Sequence, residues 1–218
     1  TGSDVHSTET LGHWCGQCSI RISERVPSME LDRLEIPAEL AAMLRAAEGH
    51  QDALAGLITE TIPPEVAVQP SLTLPPDIDL FPFSSFICTS FQEPSLPSPG
   101  WPLTKPLTQL EGENPQHALD INKVMLRLLG DGSLQSWQEQ TMGTYLVRQG
   151  QRRPGLRDEL FSQLVAQLWH NPDEQQSQRG WALMAILLSA FSPSPTLQKP
   201  LLKFVSDHAP QGMAALCQ

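Results

Sequence analysis

The stretch that decides the fold is Arg153–Ser194, RPGLRDELFSQLVAQLWHNPDEQQSQRGWALMAILLSAFSPS. In its first half Leu160, Phe161, Leu164, Val165 and Leu168 recur at the 3.6-residue period of an amphipathic helix. Pro154 suits the opening of that helix, and Asp158 and Glu159 in the first turn complement its dipole. Asn171-Pro172 closes it. The second half carries Trp181, Leu183, Met184, Ile186, Leu187, Leu188 and Phe191, so apolar residues fall on every side. With Ser177 as its cap and Ser192-Pro193 as its stop, it is expected to be the central helix, enclosed by the others.

Outward from there the punctuation stays helical. Thr196 is placed to cap a last amphipathic helix with Leu197, Leu201, Phe204 and Val205, and Pro200 falls about four residues in. Upstream, Asn114-Pro115 reads as an N-cap followed by proline at the first helical position. Ala118, Ile121, Met125 and Leu128 mark one face of that helix, and Gly130 is its expected stop. Another helix is expected from Trp137 to Gln149, ending at Gly150. Nearer the start, Pro37 opens a short helix with Leu40, Met43, Leu44 and Ala47, and Leu54, Leu57 and Ile58 make a second stripe. No stretch alternates as a half-buried strand does. The expected fold class is all-α, a compact helical bundle.

Eleven of the twenty prolines lie between residues 63 and 106. That density removes donors and fixes φ, so neither helix nor central strand is expected there. The organisation read from the chain is therefore 1–35 poorly ordered, 36–62 short helical, 63–101 proline-rich linker, and 102–218 helical bundle. Within the linker, Phe81, Phe83, Phe86 and Phe91 form a cluster expected to dock on something else.

The net charge of −10 is unevenly spread. Residues 1–114 hold 5 of the 14 basic and 16 of the 24 acidic side chains; the helical half is near neutral, without the basic footprint of a nucleic-acid binder. No apolar run reaches the roughly 18–20 residues of a membrane span. The first ten residues have neither the basic nor the apolar region of a signal peptide. Four cysteines in 218 residues make no disulfide framework, so reduced thiols and a cytoplasmic setting are expected. With no initiator Met and no terminating pattern, the chain reads as part of a longer protein.

No catalytic, cofactor or metal site is expected. Cys15 and Cys18 have dithiol-oxidoreductase spacing, but that chemistry needs the first thiol at a helix N-terminus after a strand, and the segment reads as a polar tail. His6, His13, Cys15 and Cys18 are packed too closely in one irregular segment for an ordinary zinc module. Adjacent residues on a helix point about 100° apart, so Asp158 and Glu159 are not an acid–base pair. One is expected at the helix N-terminus and the other beside an arginine such as Arg157 or Arg179. Gln163 and Gln167, four apart, are expected to satisfy buried backbone groups at helix junctions. Trp181 is expected in the core, and His50, His117, His170 and His208 at the surface.

These residues resemble the myosin tail homology 4 domain of unconventional myosins. The match runs through Asp158, Glu159, Leu160, Phe161, Gln163, Leu164 and Gln167, then Asn171-Pro172, Gly180-Trp181-x-Leu183-Met184, and Phe191-x-Pro193-Ser194. Pro102-Leu103-x-x-Pro106-Leu107 and Met125–Asp131 look like that domain's opening. Ile36–Leu40 and Leu74–Gln92 resemble the segment after the lever arm. Within the family the match is most like class XV, of the XVB type, and next like class VII. The resemblance implies a domain that would continue past Gln218, so that its last helices are missing here. It also implies a non-catalytic, cytoskeleton-associated module joining an actin-based motor to cargo or filaments, tubulin among them. Neither the motor's phosphate loop nor a convincing calmodulin-binding repeat is present. The basic residues placed to meet an acidic partner are Arg148, Arg152, Arg153 and Arg157, around one interhelical turn, and Lys199 and Lys203, on one helical face. A helical trafficking adaptor of the VHS or ENTH type is the second reading.

Overall fold

The computed structural model describes residues 31–49 and 73–210, with short backbone pairings at 14–15, 18–19 and 21–22. Leu54, Leu57, Ile58, His6, His13, His50 and the side chains of Cys15 and Cys18 lie outside the described residues. Seven α-helices form among the described residues: α1 Ala38–Glu48, α2 Phe83–Ser90, α3 Asn114–Gly130, α4 Ser136–Arg152, α5 Arg157–Leu168, α6 Glu174–Ala190 and α7 Pro195–His208. The strands are two residues each: β1 Trp14–Cys15 pairs antiparallel with β2 Cys18–Ser19, and β3 Arg21–Ile22 pairs parallel with β4 Ser95–Leu96.

The centre belongs to α5, not to α6 as the apolar run had led us to expect. From Glu159 to Leu168 every side chain of α5 is buried, and the helix packs on α3, α4 and α6. One face of α6 is buried, through Gly180, Trp181, Leu183, Met184 and Leu187. Its other face turns Ala182 and Ile186 outward, Ile186 with 49% of its surface exposed. An all-round apolar helix is buried all round only if neighbours surround it, and no described element covers this side of α6.

Several helix boundaries move for identifiable reasons. α6 starts a turn before Ser177, because Asp173 takes the N-cap and its Oδ1 accepts from the Gln176 N–H at 3.0 Å. α7 starts at Pro195 with Ser194 as N-cap, so Thr196 lies inside the helix and Pro200 is its sixth residue. Asn114 is already helical and Glu113 holds the cap position. The expected glycine stops are packing sites. α4 continues past Gly150 to Arg152, and a Cβ on Gly150 would lie 2.3 Å from Cζ of Phe191. At Gly130, the last residue of α3, a Cβ would lie 2.3 Å from Cδ1 of Leu31. In both places the missing side chain admits a neighbour.

The proline-rich stretch supplies one helix that was not expected. No proline falls between Pro82 and Pro94, and Pro82 sits at the N-cap of α2, where its missing N–H costs nothing. Phe83, Phe86 and Phe91 join the core. The Phe83 ring lies 5.8 Å from Phe204 of α7 and 6.3 Å from Trp169 at the end of α5. The expected docking of the aromatic cluster is therefore onto the bundle itself. Phe204 is the hinge pin of that side, stacked on Trp169 at 5.4 Å and on Trp181 at 5.7 Å.

Candidate functional site

The polar side chains of α5 each reach a different part of the chain. Asp158 accepts from the N–H (2.9 Å) and hydroxyl of Ser194, the N-cap of α7. Glu159, fully buried, accepts from the N–H groups of Leu107 (2.9 Å) and Thr108 (2.8 Å), from the Thr108 hydroxyl and from Gln163 Nε2. Gln163 Nε2 also donates to the Ala118 carbonyl in α3 at 3.0 Å. Gln167 Oε1 accepts from the Gly100 N–H at 2.8 Å. The two glutamines thus satisfy backbone groups across junctions, as their spacing allowed. The acids depart from the expected pairing: neither forms an ion pair with an arginine among the described residues, and both instead accept from backbone N–H groups of another segment.

The rest of the signature is structural in the same sense. Asn171 Nδ2 donates to the Gln167 carbonyl at 2.8 Å and its Oδ1 accepts from the Asp173 N–H, turning the chain from α5 into α6. That turn also needs His170 at φ 51°, a left-handed conformation rare outside glycine. Gly180 lets α6 close on α5, since a Cβ there would lie 2.7 Å from Leu168 Cδ2. Trp181 is buried, as expected.

The six basic residues do not form one free patch. Arg157 turns inward: its Nε donates to the Gly150 carbonyl at 2.9 Å and its guanidinium lies 5.3 Å from the Phe191 ring centre. Arg152 pairs with Glu39 of α1 at 2.6 Å. Lys199 pairs with Asp77 and covers the Phe81 ring at 4.5 Å. Lys203 lies 2.9 Å from both Asp79 and Asp207. The acidic turn at 77–79 was not seen in the sequence as the counterpart of α7, because the two lie 120 or more residues apart. The hydrogen bond from Lys199 holds the Asp77 carboxyl below its usual range, and bonds to Asp207 and Asp79 raise the Lys203 ammonium. Arg148 and Arg153 remain outside any ion pair among the described residues: Arg148 is exposed beside Met43, and Arg153 bonds Gln149 Oε1 at 2.7 Å. The basic surface that is left is the C-terminal end of α4.

One further feature has no sequence signal. A groove of about 520 Å³ runs between α3, α4 and α6, over Leu128, Gly143, Val147, Ala182, Leu183 and Ile186. Arg179 and Glu139 at its rim pair with each other at 3.0 Å.

Residues 143–218 match the MyTH4 domain family. The chain is 79% identical over 209 residues, 95% of its length, to human unconventional myosin-XVB, and 42% identical over 185 residues, 85% of its length, to human unconventional myosin-XV. It spans only 7% and 5% of those two proteins. A solved structure of the human myosin 7b C-terminal MyTH4-FERM domain, in complex with a harmonin-a PDZ3 domain, superposes with a TM-score of 0.56 at 27% identity. The superposition covers 62% of this chain and 30% of that one. The chain belongs to the unconventional myosins, as a stretch of their tail that carries MyTH4 sequence.

Proposed function

We propose that this region is a protein-docking module that links an actin-based, ATP-driven motor, carried elsewhere in the longer protein, to cytoskeletal or cargo proteins in the cytoplasm. The observation that carries this reading is the way α5 spends its polar groups. Asp158, Glu159, Gln163 and Gln167, the residues whose types most invite a catalytic reading, each fasten another segment to the central helix. What is left for function is the surface. The myosin 7b relative, solved with a PDZ domain, supports a folded protein as partner. The relatives do not favour the adaptor of the VHS or ENTH type. A dithiol enzyme is also disfavoured, because Cys18 begins a strand paired with that of Cys15, whereas the redox motif needs a helix there.

For an acidic partner such as tubulin, the exposed end of α4 is the better surface. Among the described residues Arg148 and Arg153 hold no carboxylate, whereas Lys199 and Lys203 already hold Asp77 and Asp79. The test is co-sedimentation of the complete tail with microtubules. Reversing Arg148 and Arg153 to Glu should weaken binding about tenfold and make it less sensitive to added salt, since rim charges act on encounter and are screened. Unchanged binding removes this surface from the proposal. Arg157→Glu is unsuitable for that purpose, because it would break the α4–α5 connection through Gly150 and Phe191.

A further inference from the structure

The helix α1 lies across the basic end of α4 and is lightly held there. It has 11 residues, its N-cap Pro37 makes no side-chain hydrogen bond, and Leu40 is its one fully buried residue. A helix of that length is marginal by itself. Of the described elements, chiefly α4 supports it. Its ion pair, Glu39 with Arg152, leaves 40% and 56% of the two side chains in solvent, where such a pair contributes little.

What α1 touches is specific. Tyr145, Arg148, Gln149 and Arg152 fall at i, i+3, i+4 and i+7 of α4 and form one stripe. Glu39 Oε1 accepts from Arg152 Nη1 at 2.6 Å, and its Oε2 accepts from Gln149 Nε2 at 3.2 Å. Met43 Sδ lies 3.8 Å from Arg148 Nη1. Gln149 is 1% exposed, and its Oε1 already accepts from Arg153 at 2.7 Å. One carboxylate thus serves Gln149 and Arg152 directly, and Arg153 through Gln149. Beside it Leu40, Met43 and Leu44, at i, i+3 and i+4, turn the apolar side of α1 to the core.

We infer that α1 is a displaceable cover, and that the stripe beneath it is a seat for a partner's acidic amphipathic helix. The inference rests on the reading of this end of α4 as the partner-facing surface. The chemistry of α1 defines the partner: a Glu, a Leu next to it, and apolar residues three and four positions beyond that Leu. When α1 lifts, Gln149 Nε2 loses its acceptor and Arg152 its carboxylate. A buried donor left unpaired is costly, so the incoming helix must bring an acid, and its apolar side must fill the place of Leu40. Exchanging one such helix for another leaves the same groups satisfied, and a modest preference decides which is seated.

The probe is the same helix supplied in trans: a fluorescein-labelled peptide of residues 36–49, IPAELAAMLRAAEG, titrated with the full chain and read by fluorescence anisotropy. Leu40→Asp in the chain unseats the resident α1. That chain should bind the peptide at least about tenfold more tightly than the unmodified chain, in which α1 competes. Adding Arg152→Glu should remove most of the gain. No binding to a Leu40→Asp chain that still melts cooperatively overturns the inference. So does equal binding to both chains, or binding that Arg152→Glu leaves unchanged. If Leu40→Asp abolishes folding, Glu39→Lys, which repels Arg152, takes its place in the same titration. Hydrogen exchange of the unmodified chain gives an independent reading. Amides of α1 should exchange at least about tenfold faster than those of α5, because the cover opens without the rest. Equal protection would mean that α1 leaves only when the domain unfolds, and also overturns the inference. No filament protein enters either measurement, so a failed microtubule co-sedimentation strikes the tubulin reading alone.

Discussion

Two consecutive helices, Arg157–Leu168 and Glu174–Ala190, are buried in the opposite order to their compositions. The first carries Asp158, Glu159, Ser162, Gln163 and Gln167 and is sheathed from Glu159 onward. The second is nearly uncharged after Arg179 and leaves Ile186 half exposed. The difference follows from what surrounds each. Much of the material against α5 is irregular chain, Gly100 and Leu107–Thr108, whose N–H groups have no ladder or helix to join. Buried backbone donors left unpaired cost roughly 1–3 kcal/mol each. Only a helix that presents acceptors can lie beneath such straps. The central place therefore goes to the helix with the right polar residues, and the apolar one packs beside it.

The sharpest way to break this contrast is to remove the acceptor. Glu159→Ala strands the N–H groups of Leu107 and Thr108 together with the Thr108 hydroxyl, all buried. We expect a loss of about 3–5 kcal/mol in urea unfolding, with Glu159→Gln losing less because one acceptor oxygen survives. Ala182→Ser on the outward face of α6 should stay within about 0.5 kcal/mol. If Glu159→Ala cost no more than Ala182→Ser, the account of α5 as a polar fastening would fail.

The glycines offer a finer contrast. Gly150→Ala drives a methyl into the Phe191 ring, which is held between Phe161 at 5.6 Å and the Arg157 guanidinium. Gly180→Ala meets the Leu168 side chain, at Cδ2 (2.7 Å) and Cγ (3.3 Å), a flexible aliphatic chain that gives way more readily than a packed ring. Overpacking should outweigh the helix-propensity gain at Gly150, for a net loss of about 1–2 kcal/mol, and come close to balance at Gly180. Thermal unfolding of the two variants side by side would show the ranking, and an equal or reversed order would deny Phe191 its fixed position.

These residues also show what the sequence could disclose. Periodicity was enough for the all-helical class and for most helices, because Leu160, Phe161, Leu164 and Val165 do all face the core. It was enough, too, to assign Gln163 and Gln167 to backbone groups. It could not rank α5 against α6, since apolar periodicity measures what a helix is able to bury and not how many neighbours it has. Gly130 and Gly150 look like stops in one dimension; their purpose is to receive Leu31 and Phe191, which are distant in the chain. The basic residues were visible singly, but their partners Glu39, Asp77 and Asp79 lie in segments separated from them by about a hundred residues or more. Charge counted along a chain says nothing about such pairing.

The smallest effect is spectroscopic and concerns the junction between α1 and α4. Tyr145 is the only tyrosine in the sequence and is 2% exposed on α4. Burial, reinforced by the charges of Asp120 and Glu39 and opposed by that of Arg153, pushes its phenol up to about 12 from the usual 10. The neutral form is thus favoured in the folded state, so the stability this contributes is whole below pH 10 and is lost as the pH rises toward 12. Nothing should change near neutrality. A titration of phenolate absorbance should show a midpoint near 12 for the native protein and near 10 in denaturant. Removing the acid on α1 with Glu39→Gln should lower the native midpoint by a fraction of a unit, since burial is the larger cause. A native midpoint at 10 would mean that water reaches the phenol, and that α1 does not close over α4 as described.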